Sequence, residues 1–167
     1  MNIRTEMLVL PFHLCPSIYR GGIIQPRMEL HPLVDSPTVF IGHDAVNHCL
    51  YADWRGDYNQ EMSRSTCRML LAVQRQLPCP KLLNDYSSMT RSTVQLTQWG
   101  EQWLADMQAA GLRCIAWVLP HDPLARQVTE DLVQAIDAPR VVAFQDVASA
   151  YSWLRQQTMP TTPLSSN

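Results

Sequence analysis

Arg113-Cys-Ile-Ala-Trp-Val-Leu119, followed by Pro120-His-Asp-Pro123 and the stretch from Leu124 to Ile136, decides the fold. So short an apolar run reads as a buried strand. Asp122 then stands where a helix N-cap is needed, with Pro123 at the first helical position. Leu124, Val128, Leu132 and Ile136 recur at helical spacing as the expected inward face. The same unit recurs along the chain. His48-Cys-Leu-Tyr-Ala-Asp-Trp54, Lys81-Leu-Leu-Asn-Asp85 and Arg140-Val-Val-Ala-Phe144 are its other runs. Each is followed by roughly 11 to 21 residues of helical period, the pattern of a sheet with crossover helices.

Working outward, Thr38-Val-Phe-Ile41 opens the core, and Gly42-His-Asp-Ala-Val-Asn47 is the turn of an N-terminal hairpin. Gly56 ends the second strand. Asp57 with Gln60 forms a capping box for a helix whose inward stripe is Met62, Thr66, Met69, Leu70, Val73 and Leu77. Ser92 with Gln95 forms a second box, for a helix carrying Leu96, Trp99, Trp103 and Met107. Asp146 caps the last helix, anchored by Val147, Ala150, Tyr151 and Leu154. The crossover rule leaves an α/β fold: a mixed, largely parallel sheet of about five strands with an N-terminal hairpin and about four helices. Residues 1–37, with five of the twelve prolines, read as an extended arm, residues 38–157 as the domain, and residues 158–167 as a disordered tail.

Composition narrows the function. A net charge of −2 with scattered basic residues gives no nucleic-acid footprint. No apolar run approaches the length of a membrane span. Met7-Leu-Val-Leu-Pro-Phe12 is broken by Pro11 and too short for a signal-peptide core, so a cytoplasmic location is expected. Cys15, Cys49, Cys67, Cys79 and Cys114 are odd in number and contain no CxxC pair, so reduced structural thiols are expected. There is no P-loop, GxGxxG, GxSxG or HExxH.

In such a sheet, ligands gather outside the carboxyl ends of the parallel strands. Those ends carry Asp57, Asp85, Asp122 and Asp146. Capping explains Asp57, Asp122 and Asp146, and Asp85 can serve backbone donors in the serine-rich loop after it. His43, Asp44 and His48 read as turn residues rather than a zinc site, and His121 beside Asp122 has no nucleophile to serve. No metal or cofactor is expected. Trp54, Trp99, Trp103 and Trp117 could converge on a pocket, since tryptophan favours sites with a buried ring and a partnered N–H.

Tyr51-Ala-Asp-Trp-Arg-Gly56, Lys81-Leu-Leu-Asn-Asp85, Trp99-Gly-Glu-Gln-Trp103, Ala110-Gly-Leu-Arg-Cys-Ile-Ala-Trp117 and Val142-Ala-Phe-Gln-Asp146 up to Trp153-Leu154 together resemble an uncharacterised bacterial STAS/SEC14-like domain family. The resemblance spans roughly residues 38–156 and is looser toward the better-understood STAS proteins, the anti-sigma-factor antagonists. It implies a non-enzymatic switch that binds a protein partner. In those antagonists a serine after the central strand, at a helix start, is phosphorylated. The matching segment here is Leu83 to Thr93, which places Ser92 or Thr93 nearest the switch position and Ser87 and Ser88 before it. The Asp-Ser-Ser-Gly run of those antagonists is absent, and Arg91 stands where its acid would be. The SEC14 side implies a carrier of a lipid or small apolar ligand.

The leading expectation is therefore a regulatory domain that binds a protein partner through Asp85, Ser87, Ser88, Ser92 and Thr93. The alternative is a small-molecule or lipid binder around the four tryptophans. An enzyme using Asp85, His121 or Asp122 ranks third. An exposed first strand would also invite pairing into a homodimer.

Overall fold

Strand-length apolar runs joined by capped helical stretches leave the chain few ways to bury its apolar faces. In chain order, the computed structural model, which describes residues 28–158, has strands β1 (Leu30–Asp35), β2 (Val39–Asp44), β3 (Cys49–Trp54) and β4 (Gly56–Tyr58) and helix α1 (Gln60–Gln76). Strands β5 (Lys81–Asp85) and β6 (Met89–Ser92) and helix α2 (Gln98–Ala109) follow. Strand β7 (Cys114–Val118), helix α3 (Pro123–Gln134), strand β8 (Arg140–Phe144) and helix α4 (Val147–Gln156) complete it. The main sheet has six strands in the order β1-β2-β3-β5-β7-β8. It is antiparallel through β1, β2 and β3 and parallel from β3 onward, as the crossover pattern requires. A separate two-stranded parallel sheet pairs β4 with β6.

Alternation decides the two faces. Leu50, Ala52 and Trp54 of β3 point to one side with Leu82, Ile115 and Trp117, and join the buried residues of α1, α2 and α3. Cys49, Leu83, Cys114, Ala116 and Val118 point to the other side, where Ala150, Tyr151 and Leu154 of α4 cover them. Strand β7 is buried along its whole length, as a strand covered on both faces must be.

Several expectations need correction. Strand β1 lies inside the stretch read as an arm, so the ordered sheet begins before residue 37; residues 1–27 and 159–167 lie outside the described residues. Consequently β2, not an exposed first strand, is covered on both sides, and the edge belongs to β1. That edge carries Pro32 and a register irregularity between Pro32 and Val34, both features that blunt pairing with another chain. Neither capping box forms. Asn59, not Asp57, caps α1 by accepting from the Met62 backbone N–H, because Asp57 is drawn into β4. Thr97, not Ser92, caps α2, because Ser92 ends β6. Two helices are also rotated from the expected face. Helix α1 buries Ser63, Thr66, Cys67, Leu70, Leu71 and Gln74 and leaves Met69 exposed. Helix α3 buries Ala125, Thr129 and Leu132 and leaves Leu124 79 % exposed. Asp122 and Asp146 do cap α3 and α4.

A buried polar knot ties α4 to the β2–β3 turn. The Tyr151 hydroxyl donates to Asp44 Oδ2 at 2.5 Å, while the Asn47 amide donates to the same carboxylate and to the Tyr151 oxygen. Burial pushes the Asp44 carboxyl upward, but Tyr151, the Asn47 side chain and the backbone N–H groups of Asn47 and Val46 outweigh it and hold it below its ordinary value of 3.8. The unfolded chain therefore takes up this proton first as pH falls. The stabilisation is complete above 3.8 and drains away as pH drops through the folded value. Asp44→Ala should cost about 1–3 kcal/mol at neutral pH by stranding buried donors. Urea unfolding stepwise below pH 3.8 should show the gap to wild type closing. A gap independent of pH would sink this account.

Candidate functional site

Strand register builds the site from its floor. Ala52, Asn84 and Trp117 stand side by side on β3, β5 and β7 and share the face covered by α1, α2 and α3. Just beyond them, Trp54 ends β3 and Tyr86 follows β5. A row of rings results: Tyr58 to Trp54 at 5.0 Å, Trp54 to Tyr86 at 5.1 Å, and Tyr86 to Trp117 at 5.0 Å between centroids. Tilted and edge-on contacts of this kind match the ring quadrupoles. Helix α2 brings Trp99 and Trp103 over the row, because positions four apart share a helix face. All four tryptophans line one cavity of about 50 Å³ at the carboxyl ends of the parallel strands, with Tyr86 and Asn84 in its wall.

The polar atoms in this wall are unequal. The Trp54 indole N–H donates to Asn84 Oδ1 at 2.7 Å, and the Trp103 indole N–H donates to the Cys67 carbonyl at 2.7 Å. The Trp117 N–H is fully buried and has no partner among the described residues. Burial pushes the Tyr86 phenol well above its ordinary range and the Cys67 thiol up to about 12, so both stay protonated at neutral pH. The other described cysteines are free and buried, and burial raises each of their thiols as well. On the outer side, the guanidinium groups of Arg64 and Arg68 lie 5.6 and 5.8 Å from the Trp99 ring and hold it as cation–π partners.

A second space abuts the first. An open groove of about 330 Å³ runs between α3 and the chain from Val94 to Leu96. Val94, Gln95, Leu96 and Leu132 line both spaces.

The residues expected around the switch are dispersed. Asp85 is buried and accepts from the Tyr51 hydroxyl and the Ser87 backbone N–H. Ser87 is half-buried and Ser88 exposed. Ser92 is buried and its Oγ accepts from the Val94 N–H, whereas Thr93 is exposed. Neither Ser92 nor Thr93 stands at a helix start, since α2 begins at Gln98. A phosphate there would draw nothing from the dipole of α2, which fades within the first turn.

The acids are committed locally. Asp122 accepts from the Leu124 and Ala125 N–H groups, and Asp146 from the Ser149 N–H and hydroxyl. Asp57 accepts from the Thr90 hydroxyl. His43 stands in β2 opposite His31, and His48 adopts a left-handed turn conformation with φ of 50°. Among the described residues no three His, Cys, Asp or Glu side chains come together as a metal-holding group. Sequence reasoning missed Asn84, Tyr58 and Tyr86. The available signal was Asn84 itself, an amide directly after Leu82 and Leu83 in a central strand buried along its whole length.

The strand order and the aromatic cavity at its carboxyl end define a mixed α/β domain with a small, tryptophan-lined interior site. No family model matches the chain, and no curated protein matches it. Among solved structures, the chain is similar to the unphosphorylated anti-sigma factor antagonist SpoIIAA, with 9 % identity over 77 % of this chain and 99 % of that one, at a TM-score of 0.44. It is also similar to a DUF3478-family protein with a SpoIIAA-like fold from Shewanella loihica, at 13 % identity over 75 % of this chain and 91 % of that one, with a TM-score of 0.43. SiaC of Pseudomonas aeruginosa shares 15 % identity over 70 % of this chain and all of its own, at a TM-score of 0.37. The fold class stands on the strand order and registers themselves. No helix among the described residues is long and apolar enough to cross a membrane.

Trp54→Phe strands the buried Asn84 oxygen, Trp103→Phe removes only the second bond of a Cys67 carbonyl that lies inside α1, and Trp117→Phe strands nothing. All three substitutions remove a similar ring volume. Trp54→Phe should therefore cost about 1–3 kcal/mol more than Trp117→Phe in chemical denaturation, with Trp103→Phe falling between them. Equal losses would show that the indole bonds to Asn84 and Cys67 contribute nothing specific.

Proposed function

We propose that this domain is a regulatory module that acts by binding a protein partner, and that its contact surface is β6, the chain that follows it, and α3. One observation carries the reading. The stretch from Ser87 to Thr93 is not a loose loop: β6 pairs with β4, packs beside α3, and so holds Ser88, Thr90, Arg91 and Thr93 outward from a fixed backbone. These residues lead directly into the 330 Å³ groove, whose walls include Val94, Leu96, Val128 and Leu132 and whose rim carries Gln95 and Asp131. A trough of mixed polar and apolar character on rigid elements is a form that protein recognition takes, and preorganisation lowers the ordering cost of association. The resemblance to anti-sigma-factor antagonists points the same way.

Within this surface Thr93 is the hydroxyl placed to act as a switch. It is exposed, and it lies between Arg91 and the groove wall. A phosphate there would add about −1.5 to −2 charges at the mouth of the groove. Ser92 is turned inward and serves the fold instead.

The test is affinity capture from the source cells with three proteins: wild type, Arg91→Glu/Thr93→Asp, and a control, Arg75→Glu, on the exposed face of α1. The substituted positions are exposed, and Arg75→Glu gives up only a surface ion pair with Asp106, so both variants should unfold at temperatures close to that of the wild type. The wild type and control should retain the same partner, and the double variant should lose at least about tenfold of it, the equivalent of one good charged contact. Equal retention by all three would remove this surface from consideration.

A further inference from the structure

We infer that the tryptophan-lined cavity is the closed form of a binding site for an uncharged, planar, aromatic-sized molecule carrying a hydrogen-bond acceptor. This goes beyond the docking surface and does not depend on it.

The first observation is the lone donor. Trp117 is 4 % exposed and lines the cavity, yet its indole N–H is unpartnered. Leaving such a donor buried costs free energy that a phenylalanine would avoid. Trp54 and Trp103 in the same wall both have acceptors at 2.7 Å, so the neighbourhood satisfies indoles where it can. The second observation is the character of the wall. Rings from Trp54, Tyr86, Trp99 and Trp103 surround the space, and no charged side chain lines it. Gln60, Ser63, Asn84 and Gln95 also reach the wall, but the Trp117 N–H is its one buried side-chain donor without a partner among the described residues, and flat aromatic faces around such a donor suit a planar neutral body with one acceptor.

The third observation is size, and it specifies how the site opens. At about 50 Å³ the cavity holds one or two waters and no aromatic ring. Its partition from the 330 Å³ groove is the extended chain Val94–Leu96, which has no regular secondary structure. That partition is held at Gln95 by a reciprocal pair: the Gln95 N–H donates to Gln60 Oε1 at 3.1 Å, and the Gln60 amide donates to the Gln95 carbonyl at 3.3 Å. Both bonds are exposed, so water can replace them at small net cost. Swinging the partition outward joins the two spaces into a volume within the range of known ligand pockets, roughly 300–1,000 Å³.

Quinoline and naphthalene test the inference, since they share a shape and only quinoline has an acceptor. Each is titrated into the full-length protein, its Kd is measured from tryptophan fluorescence, and the indole N–H resonances are followed, the Trp117 signal being the one missing in Trp117→Phe. Quinoline should shift that resonance and bind about tenfold tighter than naphthalene, the worth of one hydrogen bond. In Trp117→Phe the preference should vanish while naphthalene still binds, which separates loss of the donor from loss of the fold. Gln60→Ala should speed association of both probes by loosening the partition. Equal affinity of the two probes for wild type would mean that the N–H is met by a resident water and would overturn the inference. So would the absence of any shift up to the solubility limit of quinoline, or an unchanged association rate in Gln60→Ala.

Discussion

The bond from the Trp54 indole to the Asn84 side chain organises this molecule. Asn84 is 2 % exposed on the helix-covered face of a central strand, where an amide without partners would be strongly unfavourable. Trp54 on the neighbouring strand donates to it, and in doing so its ring is fixed at a tilt between Tyr58 and Tyr86. The Tyr86 ring in turn meets Trp117 on the next strand. One buried hydrogen bond thus sets the spacing of an aromatic row across three parallel strands. An apolar residue at Asn84 would pack the sheet as well, but it would leave the buried Trp54 N–H without its acceptor. The polar group contributes geometry more than net stability.

How far the sequence reached depends on the range of each interaction. The alternation in β3, the fully apolar β7, the inward face of α4 and the caps at Asp122 and Asp146 are local signals, and the structure obeys them. Asp57 and Ser92 carried equally good local signals and went elsewhere. They belong to β4 and β6, which pair across the whole of α1 and β5, a contact that no short window can register. Losing both false caps moved the helix starts to Asn59 and Thr97. The slip in α3 has a related cause: Leu124 and Ala125 both fit an apolar stripe, and packing beside β6 selected the smaller residue for the interior. Strand β1 was hidden by Pro32 and by exposed positions, since an edge strand has little need of alternation.

The site divides along the same line. Convergence of Trp54, Trp99, Trp103 and Trp117 was legible, because two strand ends and one helix face at a spacing of four leave little choice once the sheet order is known. The inequality among their N–H groups was not legible. Whether an indole finds an acceptor depends on Cys67 or Asn84 arriving from other elements at hydrogen-bond distance. For the same reason the inward turn of Ser92 and the outward turn of Thr93 could not be told apart as adjacent hydroxyls.

The chain from Val94 to Leu96, with Leu132 of α3, is common to the cavity and the groove. A ligand that seats on Trp117 must move that wall, and a partner that seats in the groove must press against it. Two sites that share a movable wall cannot be thermodynamically independent, and the coupling between them is reciprocal. Its sign follows from the geometry. Displacement of Val94 and Leu96 to join the cavity to the groove removes the groove's wall, so cavity occupancy would oppose groove occupancy. A charge added at Thr93, immediately before the partition, acts on the same segment from its other end. Regulation in this fold then requires no moving domain. On the proposed readings, these three residues without secondary structure, held by one exposed pair between Gln60 and Gln95, would set a small molecule, a protein and a phosphate against one another at a single backbone position.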